Sequence, residues 1–161
     1  MQTTLFVKTV ETPSFQHEME CIQSAMDRGT KWNLAEAETY CRNWGRNQYE
    51  NFTVVSLLLP KSVRQDFYNI YAYCRWSDNL ADEIEEQQRS LQLLGDWESE
   101  LRLCWGGQPK HPILVALQRT AQENRLSQEN FLNLLSAFRQ DRQLSRYGDA
   151  ASLLDYCTRS A

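Results

Sequence analysis

Four residues in the segment FYNIYAYCRWSDNLADEIEE could do chemistry together: Tyr71, Arg75, Asp78 and Asp82. They are separated by four, three and four residues. At about 100° of rotation per residue, that spacing puts all four on one face of a helix. Asp78 and Asp82 then lie one turn apart, and like charges at that spacing cost a helix roughly a few tenths of a kcal/mol. A hard divalent cation shared between the two carboxylates and a phosphorylated ligand reverses that cost. Mg²⁺ is usually held in this manner, by one or two carboxylates plus substrate phosphates and water. Arg75, one turn earlier, can fork onto a pair of phosphate oxygens. Spacing alone also fits an ordinary solvated helix face. The flanking residues argue for burial instead. Ile70, Tyr73, Cys74, Ala81 and Ile84 cover one flank, and Trp76 and Leu80 cover the side opposite the stripe. A helix that is apolar over most of its circumference is buried, and Arg75 alone cannot neutralise Asp78, Asp82 and Glu83 there.

The elements that must carry this stripe read as helices throughout. Residues 1–13 have no helical period and are expected to form a loose arm. A short helix follows over 14–28, with Ser14 as N-cap and Phe15, Met19, Ile22 and Met26 on one face. Asn33, with Glu36 three residues on, forms a capping box that opens a helix over 34 to about 44, expected to end at Gly45. Asn51 to Leu59 is an apolar run with helical potential to Leu58, stopped by Pro60. The long acid-bearing helix then starts at Pro60 or Ser62 and reaches about Glu86. Further helices are expected over 89–104, 112–124, 127–143 and 149–158. Leu91, Leu94, Trp97, Leu101 and Trp105 make the stripe of the first of these, and Gly106-Gly107-Gln108-Pro109 breaks it. His111-Pro112 opens the next. Ser127 caps the following one, with Phe131, Leu134, Leu135 and Phe138 inward. Asp149 caps the last, with Leu153, Leu154 and Cys157 inward. No strand pattern, repeat or low-complexity tract interrupts them. The expected fold is all-α and one domain.

Composition narrows the function. The chain has 161 residues, 42% hydrophobic and 24% charged, which suits a folded domain rather than a disordered one. Five Trp, seven Tyr and six Phe supply a heavy aromatic load for a helical core or a greasy pocket. The net charge is −4, and the basic residues are scattered. No basic face marks a nucleic-acid partner. Five cysteines form no C-x-x-C pair and two histidines leave no zinc pattern. The odd cysteine count and the position of Cys74 favour a reducing, cytoplasmic setting. No apolar run approaches the roughly 20 residues of a spanning helix, so any membrane association would be peripheral. No signal peptide is apparent.

NFTVVSLLLP, then Arg64, then YAYCRWSDNLADE resembles the squalene/phytoene synthase family of head-to-head prenyl transferases. In that family a leucine–leucine–proline segment and an arginine precede a helix with a tyrosine–cysteine–arginine core and a DxxxD acid motif. The acid motif here is Asp78-Asn79-Leu80-Ala81-Asp82. HPILVALQRTAQENRLSQENFLNLLSAFRQD and LLDYCTRSA continue the likeness. Asn51-Phe52 and the RWSDNLADE wording are most similar to the bacterial hopanoid-pathway branch, that of hydroxysqualene synthase. The resemblance covers about residues 33–161 and leaves residues 1–32 as an N-terminal arm and short helix.

The resemblance implies an isoprenoid-synthase-type helical bundle acting on a prenyl diphosphate, with neighbouring enzymes of the pathway as further partners. It implies Mg²⁺ on Asp78 and Asp82, a diphosphate contact from Arg75, and cavity roles for Tyr71, Tyr156 and Phe52. The reaction expected for the hopanoid branch is conversion of presqualene diphosphate to hydroxysqualene. Phytoene or squalene formation are the alternatives within the family. The residues themselves leave room for plainer roles. Tyr156 and Phe52 also fit core packing, His111 fits a helix cap, and Lys61 and Arg64 fit partners of Asp66 or solvent-facing charges. Asp141, between Arg139 and Arg142, fits a surface ion pair of little worth, unless it orders the loop to Tyr147. Family enzymes face a second acid cluster across the bundle. No second DxxxD follows Asp82 in this chain. The bundle is therefore expected to be truncated, with apolar faces of helices 51–86 and 127–158 open. That leaves a rival reading, a non-catalytic helical fragment that binds a partner through its exposed core face.

Overall fold

The computed structural model describes residues 14–48, 58–144 and 146–160. Over these residues it is all-helical, with no strand. The helices are α1 (Phe15–Asp27), α2 (Leu34–Gln48), α3 (Lys61–Asp82), α4 (Gln87–Trp105), α5 (Pro112–Asn124), α6 (Gln128–Gln143) and α7 (Ala150–Ser160). The proposed arm over 1–13 and most of the 51–59 segment, including Phe52, lie outside the described residues.

Local capping chemistry sets most of the helix starts. The Ser14 hydroxyl accepts from the His17 N–H at 3.3 Å. Asn33 and Glu36 make the reciprocal capping box, each side chain accepting from the other's backbone N–H at 3.0 Å. The His111 Nδ1 accepts from Ile113 N–H at 3.2 Å, one residue after the N1 proline. Ser127 and Asp149 cap α6 and α7 in the same way. Each such cap contributes roughly 1 kcal/mol.

The 22-residue α3 is the hub. It packs against α2, α4, α5 and α6, and α7 packs on α6. Trp76 sits at the centre of an aromatic cluster, 5.0 Å from Phe15, 5.3 Å from Trp44, 4.6 Å from His111 and 6.0 Å from Trp97, measured between ring centroids. Tilted and edge-on rings at such spacings add favourable quadrupole contacts to apolar burial. Phe15 and Ile22 bring α1 into the same core. The polar groups on the buried side of α3 are mostly paired. Asn69 donates to Thr120 Oγ1 at 3.0 Å and to the Ala116 carbonyl at 3.3 Å. Tyr73 donates to the Phe131 carbonyl at 3.0 Å. Ser77 donates to the Tyr73 carbonyl at 2.8 Å and accepts from Trp97 Nε1 at 3.0 Å. These bonds fix the rotation of α3, and therefore which way its acids face.

Three expectations need correction. First, α2 does not stop at Gly45 but runs to Gln48, with Gly45 itself buried. Burial of Ala37, Cys41 and Trp44 outweighs the roughly 1 kcal/mol cost of a mid-helix glycine. Second, α3 ends at Asp82, not near Glu86. Arg142 Nη2 donates to the Ile84 carbonyl at 2.9 Å and the Glu85 carbonyl at 3.2 Å, and takes the backbone out of the helix. Third, α7 buries no residue, and Leu153, Leu154 and Cys157 are exposed rather than inward. Its polar side makes the contacts to α6 instead: Arg159 donates to Ser136 Oγ at 2.6 Å and also bonds Gln140. Of the plainer roles open to Lys61 and Arg64, Lys61 is exposed, and among the described residues Asp66 instead accepts from Thr120 at 2.9 Å and faces Arg119 at 3.2 Å, while Arg64 Nε donates to the Leu59 carbonyl at 2.8 Å.

Candidate active site

α3 presents Tyr71, Arg75, Asp78 and Asp82 on one face, as the spacing requires. Tyr71, Arg75 and Asp78 are half-buried and Asp82 is exposed at the end of the helix. The opposite side of the helix carries Ala72, Trp76 and Leu80 into the core. Arg75 pairs with Asp78 one turn on and comes within 3.9 Å of Glu83. Asp82 has no such ion pair among the described residues. Its carboxyl is held above the usual carboxylate range, first by loss of water around it and then by Asp78. Arg75 and Arg142 oppose that shift, and Asp141 adds to it.

That last influence shows where α6 delivers its C-terminal end. Asp141 lies close enough to Asp82 to act on its charge, and the neighbouring Arg142 anchors the α3–α4 turn. Among the described residues Asp141 does not form the surface ion pair expected of it. Arg139 instead pairs with Glu98 and donates to the Leu94 carbonyl at 3.0 Å, and Arg142 is committed to carbonyls. Asp141 accepts from the Tyr156 hydroxyl at 2.7 Å. Tyr156 is half-buried on α7, its ring 5.4 Å from that of Tyr147. The structure therefore links Tyr156 to the acid face through Asp141. Of the two roles the sequence leaves open to Asp141, an ordering contact toward the loop at Tyr147 lies nearer to this arrangement than a surface ion pair does. The only local signal was an acid beside an arginine in the last turn of a helix, a common arrangement at any helix C-terminus.

The donor set can be tested against a metal. Among the described residues no group of three or more His, Cys, Asp and Glu side chains is placed to hold a metal ion. The chain therefore offers two carboxylates one turn apart, one of them destabilised by its neighbour. Hard-cation chemistry suits this arrangement when ligand oxygens and water complete the shell. Asp78 and Asp82 fit Mg²⁺ in that sense. The open groove between α6 and α7, lined by Ser136, Arg139, Gln140, Leu144, Ser152 and Asp155 among others, includes none of the four stripe residues.

A bundle whose central helix exposes a DxxxD pair beside an arginine has the form of an isoprenoid synthase. The comparisons agree. The squalene/phytoene synthase profile matches residues 46–161. A 15-cis-phytoene synthase from Synechococcus elongatus is 31% identical over 129 residues, which is 80% of this chain and 42% of that protein. A hydroxysqualene synthase from Zymomonas mobilis is 33% identical over 118 residues, 71% of this chain and 39% of that protein. The crystal structure of squalene synthase HpnC from Alicyclobacillus acidocaldarius superposes with a TM-score of 0.73 at 39% identity, covering 80% of this chain and 48% of that one. The chain belongs to the squalene/phytoene synthase family, whose members are prenyl-transferring isoprenoid synthases. It spans less than half the length of these relatives. Among the described residues no helix is long and apolar enough to cross a membrane.

Proposed function

We propose that this chain carries the first DxxxD acid pair of an isoprenoid synthase that releases diphosphate from a prenyl substrate, with presqualene diphosphate converted to hydroxysqualene as the specific reaction. The observation that carries it is the joint presentation of Arg75, Asp78 and Asp82 on one face of a helix locked by buried bonds. The hydroxysqualene synthase likeness supports this reaction, the squalene synthase HpnC likeness supports the squalene side of the family over phytoene formation, and the Synechococcus phytoene synthase likeness is the counterweight.

Asp78 and Asp82 would hold Mg²⁺, which when bound supplies positive charge against the diphosphate. Arg75 would leave Asp78 to that cation and turn its fork to the diphosphate oxygens. The allylic or cyclopropylcarbinyl C–O bond then breaks, and its electron pair leaves with the diphosphate. Tyr71 and Tyr156 would border the resulting carbocation, and in the complete bundle apolar aromatic walls would shelter it from stray water. In the hydroxysqualene reaction one admitted water forms the new C–O bond and gives up a proton. The setting would be the cytoplasm, with at most peripheral membrane contact. The test is Mg²⁺-dependent release of diphosphate, with product analysis, on presqualene and geranylgeranyl diphosphates. Release from neither substrate overturns the reading. Release from the second alone overturns its specific form.

A second reading rests on α7. Leu144, Leu153 and Leu154 are exposed. A non-catalytic helical module would use this face to bind a partner, in the simplest case another copy of the chain. Concentration-dependent association abolished by Leu153→Ser and Leu154→Ser, with no prenyl diphosphate turnover, would favour it.

A further inference from the structure

We propose that Asp141 is a positioning residue of this site, holding the Tyr156 hydroxyl so that its oxygen faces the prenyl chain. The proposal rests on the reading just given and deepens it. Three observations converge. The Tyr156 hydroxyl donates to Asp141 Oδ2 at 2.7 Å, a normal length for a bond to a charged oxygen. α6, which carries Asp141, packs directly against α3, which places the pair beside the acid helix. Arg142, the next residue, fixes the end of α6 to the carbonyls of Ile84 and Glu85. The acceptor is thus mounted on the same anchored turn that ends the acid helix.

The chemistry follows from where the hydrogen points. With its hydrogen committed to a carboxylate, the phenol keeps its proton and turns its lone pairs away from Asp141. The Tyr156 phenol is pushed up to about 12, chiefly by that hydrogen bond, so it stays neutral. A neutral, polarised oxygen of fixed orientation stabilises a neighbouring carbocation without capturing it, since a phenol still carrying its proton is a weak nucleophile. Asp141 reaches the substrate only through Tyr156.

Two measurements test this. In the 161-residue chain carrying ring-¹³C tyrosine, the Tyr156 signal is assigned by its loss in Tyr156→Phe and followed against pH. The expected midpoint is about 12, falling toward about 10 in Asp141→Ala. A midpoint that does not move overturns the proposal. In the intact enzyme, Asp141→Ala should lower kcat roughly tenfold, as loss of one charge-assisted bond implies. KM and inhibition by inorganic diphosphate should hold within about twofold of the wild type. Asp141→Asn, which keeps an acceptor oxygen, should recover part of the rate. Adding Asp141→Ala to Tyr156→Phe should cost nothing further. Additive losses, or a loss confined to KM, overturn the proposal. Failure of the underlying reading looks different: the tyrosine midpoint moves, but the wild-type enzyme releases no diphosphate.

Discussion

Arg142 and Ile84 stand 58 residues apart in sequence, and the guanidinium of one donates to the carbonyl of the other at 2.9 Å. This bond decides where α3 ends, and hence how Asp82 is presented. A second bond to the Glu85 carbonyl and the Gln87 amide bonded to the Arg142 carbonyl complete the clasp. Arg142→Met keeps the apolar stem and removes the donors. It should cost about 1–3 kcal/mol, because two carbonyls lose a charged partner. Urea denaturation measures the loss. Amide exchange should quicken over residues 82–87 more than over 68–80. Uniform quickening along α3 would contradict the clasp.

His111 gives a pH signature. It is 4% exposed, and its Nδ1 accepts the α5 cap bond, so the neutral ring carries its proton on Nε2. Burial pushes it down to about 3 from 6.5. The unfolded chain therefore binds a proton below about pH 6.5 that the fold refuses until about pH 3. Stability from this group is complete above pH 6.5 and is lost as pH falls through that window, at up to about 1.4 kcal/mol per pH unit. His111→Asn retains a capping oxygen and removes the titration. The difference between wild-type and variant stabilities, measured in urea from pH 7 to 4, should shrink at that rate. Parallel curves would mean that His111 is solvated.

How much of this was legible in the sequence depends on the range of the interaction. Ser14, Asn33 with Glu36, His111-Pro112, Ser127 and Asp149 act on residues two or three positions away, and their helices start within about two residues of where those signals place them. The stripe from Tyr71 to Asp82 is equally local, since helical period alone defines its face. What could not be read depends on distant partners. Gly45 stays helical because Cys41 and Trp44 are buried. α3 ends early because Arg142 arrives from another helix. Leu153 and Leu154 look inward by period, yet α7 turns Tyr156 and Arg159 to α6, where Asp141, Ser136 and Gln140 satisfy them. Asp141 was opaque for the same reason: its adjacent arginines were already engaged by Glu98 and by backbone carbonyls.

Arg75 separates recognition from fold. Its ion pair with Asp78 is partly solvated and contributes little to stability. Arg75→Lys should therefore leave the urea midpoint almost unchanged. A lysine cannot reproduce the planar fork, so inhibition of the intact enzyme by inorganic diphosphate should weaken roughly tenfold. An unchanged inhibition constant with a lowered urea midpoint would make Arg75 a structural partner of the acids.

The central claim is that Asp78 and Asp82 form a Mg²⁺-dependent diphosphate site, and titration of the 161-residue chain with inorganic diphosphate tests it most directly. Backbone amide shifts are followed by nuclear magnetic resonance with and without Mg²⁺. Two carboxylates leave a cation largely hydrated, so the affinity should be weak, with Kd on the order of millimolar. The shifts should cluster over residues 71–83, require Mg²⁺, and vanish in Asp78→Asn and Asp82→Asn while the circular dichroism of both variants stays helical. Shifts that persist in the Asp82→Asn variant, or that appear equally without Mg²⁺, would contradict the account.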